Sequence, residues 1–349
     1  LGWRLGARET GALRVAGRLG PRPAVERLTL EAPGLSAAGE VALGPEGVTR
    51  ARFERLRVGD WLDTAVTLRP REPGLPPAVE VTGGTLDLRA RPAAAERPAG
   101  ARAPIPLTVA LDRVAVTEAI TLTDVRGEVT AGRGLDGAFT ARLGDRAAIR
   151  GTLLPMEGRT AVRLRADDAG RALAASGLFG NADDGALDLT LLPAGAPGAF
   201  DGALRITDTR LRNTPVLAAL LDAVSIVGIL DQLQGPGIAF SEVEARFRLT
   251  PREVILTEGA AVGPSMGISL DGYLDLGTGR MDMQGVLSPI YLLNAVGSVL
   301  TRKGEGLFGM NFRLQGRARA PEVSVNPLSA LTPGMFREIF RRAPPRVIQ

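Results

Sequence analysis

Through most of its length this sequence alternates one apolar residue with one polar residue, in short runs closed by glycine and proline. Side chains of an extended chain point to opposite faces in turn, so such runs make half-buried strands. Leu13, Val15 and Gly17 oppose Arg14, Ala16 and Arg18, and Leu28 and Leu30 alternate with Arg27, Thr29 and Glu31. The same grammar returns at 40–43, 51–58 and 64–68, with Pro33-Gly34 and Gly44-Pro45 as punctuation. A mainly β fold of short, hairpin-connected strands is the expectation.

Two stretches interrupt it. Residues 70–77 (PREPGLPP) and 91–106 (RPAAAERPAGARAPIP) are rich in proline, alanine and charge, and read as loops or linkers. Strands resume at 107–111, 114–116, 120–122, 125–129, 138–143, 148–153 and 160–165. A short helix is expected over 167–179 with Asp168 as its cap, and Asn181 to Gly185 turns the chain. Later strands carry Leu187, Leu189 and Leu191, then Phe247 and Leu249, Ile268 to Leu276, Met281 to Leu287, and Met310 to Gly316. The chain thus divides into strand-rich segments at 1–90 and 107–166 about the 91–106 linker, and a last region, 167–349, that also holds helices.

The longest helical signal is NTPVLAALLDAVSIVGILDQLQGPG, giving a helix near 215–234. Thr214 suits the cap and Pro215 the first turn, while Gly235-Pro236-Gly237 ends it. Leu217, Leu220, Leu221 and Val224 form one face, but most of the circumference is apolar, so the helix needs cover on several sides. Asp222, Asp231 and the two glutamines argue against a membrane span, since a mid-span carboxylate costs about 2.5–3.5 kcal/mol on insertion scales. Ser288-Pro289 and Thr332-Pro333 repeat the start signal and predict helices near 289–300 and 333–342.

Composition excludes much chemistry. There is no cysteine and no histidine, which removes thiol nucleophiles, disulfides, Cys/His zinc sites and imidazole-based triads. Lys and Arg total 42 against 38 for Asp and Glu, and the charges alternate in sign along the strands, a solvated face and not a nucleic-acid footprint. Aromatic content is 4%, so Leu, Val, Ile and Ala must line the interior. Leu1 to Arg14 lacks the apolar run of a signal peptide, and the expectation is a fragment or a processed chain.

Motifs with chemical promise fail on context. Gly304 to Gly309 matches G-x-G-x-x-G, but an apolar helix precedes it and a strand follows, the reverse of a dinucleotide site. Asp183 and Asp184 lack the distal carboxylate of a calcium loop, and no acid pair is placed across a cleft. No catalytic residue, cofactor or metal is expected. Arg337, Arg341 and Arg342 beside Phe336 and Phe340 form a terminal amphipathic patch fit to lie near anionic lipid, or equally a solvated helix.

Four stretches carry a family resemblance: NTPVLAALLDAVSIVGILDQLQGPGIAF (213–240), GPSMGISLDGYLDL (263–276), GEGLFGMNFRLQG (304–316) and PEVSVNPLSALTPGMFREIF (321–340). In order and spacing they resemble the C-terminal region of the AsmA-like superfamily of Gram-negative envelope proteins, of YhdP and TamB types, in its alphaproteobacterial form. The resemblance covers the chain from about Asp167; earlier residues share only the strand-rich texture.

The resemblance implies an elongated, curved antiparallel β-sheet forming a groove with an apolar inner face, with a few short helices at its C-terminal end. It implies a periplasmic protein carrying phospholipid between inner and outer membrane, tethered to the inner membrane by an N-terminal segment absent from this chain. Physical chemistry supplies the need: an acyl chain of about 15 methylenes costs roughly 12 kcal/mol to expose to water. On this reading Leu187, Leu189, Leu191, Phe247, Leu249, Ile268, Leu270, Met281, Met283, Phe312 and Leu314 line the inner face. The helices at 215–234 and 289–300 plug or gate its end. The alternative is an envelope assembly scaffold aiding outer-membrane protein insertion, with that face packed shut or paired with client strands.

Overall fold

The computed structural model describes the chain except residues 1–5, 7, 19, 21–23, 45–46, 73, 92–102, 119, 178–179, 224–232, 290–308, 319, 327–344 and 346–349. Expectations that fall there lie outside the described residues: Val224, the helices near 289–300 and 333–342, most of the G-x-G-x-x-G stretch, and Phe336, Arg337, Phe340, Arg341 and Arg342. The fold is mainly β, with 20 strands and two short helices among the described residues. The chain forms two compact units, Leu1–Thr160 with Ala175–Gly177, and Ala161–Ala174 with Leu178–Gln349.

In the first unit ten strands follow one another: β1 (Ala12–Arg18), β2 (Ala24–Ala32), β3 (Leu35–Gly44), β4 (Gly47–Val58), β5 (Leu62–Arg69), β6 (Ala78–Asp87), β7 (Ile105–Ala115), β8 (Thr121–Ala131), β9 (Leu135–Leu143) and β10 (Ala147–Met156). Each pairs antiparallel with the next except β6 and β7, which run parallel, Val79 beside Leu107. A tight hairpin cannot join parallel strands, so the proline- and alanine-rich stretch serves as a crossover. It is shorter than expected, because Ile105 and Pro106 already pair with Ala131 and Thr130.

Strands are longer than the sequence pattern suggests. The expected runs at 120–122 and 125–129 are one strand, β8, carried through a register shift at Thr123/Arg126 with Asp124 at φ 49°. Similar shifts fall at Val25/Leu28, Phe53/Leu56 and Asp63/Ala65. Each extra residue breaks the alternation while keeping the ladder, and bends and twists the strand. Leu28, Gly39, Phe53, Val66, Val81, Val109, Gly127, Phe139 and Gly151 consequently align in one apolar row from β2 to β10. Ala37, Leu56, Val58 and Val66 form a buried core on this face.

The second unit contains β11 (Arg159–Ala166), α1 (Ala169–Ala175), β12 (Ala182–Asp183), β13 (Ala186–Pro193), β14 (Phe200–Leu211), α2 (Pro215–Ala223), β15 (Ile238–Leu249), β16 (Glu253–Val262), β17 (Met266–Asp275), β18 (Arg280–Pro289), β19 (Met310–Arg317) and β20 (Ala320–Asn326). The first two residues of β11 and the last of α1 are counted with the first unit. Asp168 caps α1 as expected, accepting a hydrogen bond from the Arg171 amide at 2.8 Å. Ser288 and Pro289 extend β18, paired with Gly267 and Met266, and the helix expected to follow them lies outside the described residues.

All sheet pairings in this unit are antiparallel, and its first and last strands do not pair with each other. The sheet is therefore unclosed, and α2 shows that it curves. Helix α2 leaves the end of β14 yet packs against β20, six strands away, where Val323 and Val325 join its core. Six spacings in a flat sheet come to about 29 Å, whereas nine helical residues span about 13 Å. The sheet curls around the helix.

Candidate functional site

In the second unit the ladders bring apolar residues into four unbroken rows. One runs Pro193, Phe200, Leu249, Val254, Leu274, Met281, Gly316, Pro321; the next runs Val162, Leu191, Gly202, Phe247, Leu256, Gly272, Met283, Leu314, Val323. A third runs Leu164, Leu189, Leu204, Ala245, Gly259, Leu270, Gly285, Phe312, Val325. The last runs Ala166, Leu187, Ile206, Val243, Ala261, Ile268, Leu287, Met310. Every one of the eleven residues named from sequence for the inner face lies in these rows. None of the rows contains a polar side chain.

Burial divides the face in two. Under α2, Leu217, Leu220 and Leu221 pack with Leu233, Ile238, Phe240, Met266, Met283, Leu287, Phe312 and Leu314 in one buried core. Ile268, Leu270 and Met281 are partly buried against it. Met283, Phe312 and Leu314 are therefore core residues over β18 and β19, closed off by the chain's own helix. Leu187, Leu189, Leu191, Phe247 and Leu249 lie outside this core and remain partly exposed. With Val162, Leu164, Phe200, Leu204, Val254 and Leu256, also partly exposed, they make a half-open apolar surface over β11 to β16. Sequence reasoning missed these last six; the alternation of Val162 and Leu164 with Arg163 and Arg165 was the available signal.

Helix α2 begins where the sequence indicates. The Ala218 amide donates to the Thr214 carbonyl at 2.9 Å, and Gly237 takes φ 87° where the connection returns to β15. Thr214 itself is buried, and its hydroxyl donates to the Arg212 carbonyl at 3.4 Å, where acceptance from a first-turn amide was expected. Past Asp208, held at φ 55°, the inward set changes phase, so that Leu211, Ile238 and Phe240 join the core beneath α2.

The reverse face carries charge over β11 to β15. Arg165, Asp188, Arg205 and Glu244 align across neighbouring strands with alternating sign. Arg163 holds the Asp188 carboxyl below the usual carboxylate range through hydrogen bonds, with further help from Arg165. Arg205 pairs with Glu242, and Arg248 with Asp201 at 2.5 Å. The expected wet face does not persist across the sheet: over β17 to β19, Ser269, Asp271, Gln284, Ser288 and Asn311 are buried, with Gln284 Nε2 donating to Asp271 Oδ2 at 2.9 Å. A cleft of ≈ 210 Å³ is lined by Gln284, Asn311, Arg313, Ser324 and Asn326 together with Gly285, Phe312 and Val325 of the third row, and by no residue of β11 to β16.

The half-open rows present an uncharged apolar surface. No described helix is long and apolar enough to cross a membrane, and no group of three or more acidic side chains is placed to hold a metal ion among the described residues. No protein-family model, curated protein or solved structure significantly matches this chain.

Proposed function

We propose that this chain is an AsmA-like envelope protein that carries phospholipid between the inner and outer membranes of a Gram-negative cell without enzymatic chemistry. Acyl tails lie on the half-open apolar rows while head groups stay in water, and α2 is the plug that ends the track. On this reading the protein works in the periplasm. One observation carries the reading: rows free of polar side chains, three of which stay partly exposed over β11 to β16. Monomeric proteins seldom leave a contiguous apolar surface uncovered unless something binds it.

The test is a mass spectrum of the gently extracted protein together with photo-crosslinking to phospholipid. Co-purifying phospholipid is expected, and Leu189→Asp, at a partly exposed position, should stay folded and lose the crosslink. A lipid-free protein, or undiminished crosslinking in the variant, overturns the reading. The closed region under α2 favours a second reading, an assembly scaffold, because a continuous conduit requires that part of the face to be open. A lipid-free complex with an outer-membrane protein would support the scaffold.

A further inference from the structure

The cleft across β18, β19 and β20 opens on the reverse face of the sheet, away from α2. Two rows of the ladder build it: Gln284, Arg313 and Ser324 stand side by side on successive strands, and Asn311 faces Asn326 one row on. Phe312 and Val325 turn their side chains into the core under α2, so they line the cleft with main chain alone. A ligand there meets three carboxamides, one hydroxyl and one guanidinium.

The back of the cleft is fixed and its cation is uncompensated. Gln284 and Asn311 are 5% and 6% exposed, and Gln284 is anchored by its 2.9 Å bond to the Asp271 carboxylate. Arg313 is exposed and enters no ion pair among the described residues. Asp271, the acid of its own row, lies two strands away, about 10 Å in a flat sheet, and is already bonded to Gln284. Asp282 and Glu322 flank Gln315 in the next row, where Gln315 donates to Asp282 at 3.3 Å.

A guanidinium beside neutral donors recruits an oxyanion, because charge-assisted hydrogen bonds are the strong ones and the planar fork fits carboxylate or phosphate. A planar carboxylate is filled by the fork alone. Donors on three neighbouring strands suit the tetrahedral oxygens of a phosphate. At ≈ 210 Å³ the cleft is below the ~300–1,000 Å³ of drug-sized sites, which limits the ligand to a phosphate with a small substituent.

We infer that this cleft binds a phosphate monoester, with Arg313 pairing with the anion and Ser324, Asn311 and Asn326 bonding its remaining oxygens against the wall formed by Gln284. The same chemistry is offered by a free sugar or glycerol phosphate and by the head of a phosphatidic acid. The site goes beyond the lipid-carrying reading, since no residue of β11 to β16 contributes to it, and either can fail alone.

The experiment is calorimetric titration of the whole chain, at constant ionic strength, with glycerol 3-phosphate and with dihexanoyl phosphatidic acid below its micellar concentration. Tighter binding of the first assigns a soluble ester, and tighter binding of the second a lipid head. Arg313→Gln should weaken the preferred probe about tenfold or more, the scale of a lost charge-assisted hydrogen bond. Arg317→Gln removes the same charge two residues along β19, outside the cleft, and should leave binding unchanged. Both arginines are exposed, so the variants should fold, which circular dichroism checks. Folded wild type that binds neither probe overturns the inference, as does undiminished binding in Arg313→Gln or equal weakening in the two variants.

Discussion

Arg163 donates from Nε and Nη2 to the two carboxylate oxygens of Asp188, at 2.8 and 2.5 Å, while its chain neighbour Leu164 faces Leu189 on the other side of the sheet. One pair of strands therefore builds both surfaces at once. Polar pairing occupies one face and leaves the other to aliphatic side chains, because consecutive residues of an extended chain cannot share a side.

The pairing predicts an acid dependence of stability. The folded pKa of Asp188 lies below its ordinary value, with hydrogen bonding from Arg163 the main cause. Its contribution is fully present above the unfolded pKa of about 3.9 and is lost as pH falls through the lower folded value. Both partners are substantially exposed, so the contribution is of the order of a surface pair, ~0–1 kcal/mol. Urea melts of wild type and Asp188→Asn should differ near neutral pH and converge at strongly acidic pH; a constant difference would refute the assignment.

Leu221 is fully buried in the core that joins α2 to the sheet. Leu221→Ala removes its burial and leaves a cavity, with an expected loss of about 2–5 kcal/mol. Thermal or denaturant unfolding measures it. Val323→Ala, partly exposed against the same core, should cost clearly less.

Asp208 has φ 55° and sits unpaired between the Thr207–Glu242 and Thr209–Phe240 partners. A β-branched residue in that left-handed conformation costs roughly 1–2 kcal/mol, whereas glycine adopts it without steric penalty. Asp208→Val should lower the denaturation midpoint and Asp208→Gly should leave it nearly unchanged. Equal effects would show that the side chain and not the backbone matters there.

Thr64 occupies the apolar face of the first unit, is buried, and donates its hydroxyl to the Gly83 carbonyl at 2.6 Å. This carbonyl lies where β6 bends at Gly83 and Gly84, both at positive φ. Thr64→Val keeps the shape but removes the donor, with an expected cost of about 1–3 kcal/mol for a buried acceptor left unsatisfied. Equilibrium unfolding reads the cost, and hydrogen exchange at β5 and β6 shows whether it is local.

Much of the fold was legible because alternation has a direct geometric meaning. Leu187, Leu189 and Leu191 had to share a face, as did Ile268 and Leu270, whatever strands they paired with. Phe200 and Leu204 were harder to see, since Gly202 occupies an inward position between them and Ala203 an outward one, which flattens the polarity contrast. The bulge at Asp124 hid the continuity of β8 for a related reason: an inserted residue inverts the pattern without ending the strand. The parallel pairing of β6 with β7 had no local signature at all.

The order of side chains along each strand, and so the existence of a dry face, was determined by the sequence alone, because inward and outward positions are set by backbone geometry one residue at a time. Which rows met, and where they closed, only the tertiary structure decided. Leu189 and Met283 have the same character in sequence, yet one remains half open and the other lies in a core. The difference comes from α2, which reaches β20 only because the sheet curls, and curling depends on pairings and bulges between residues far apart in the chain.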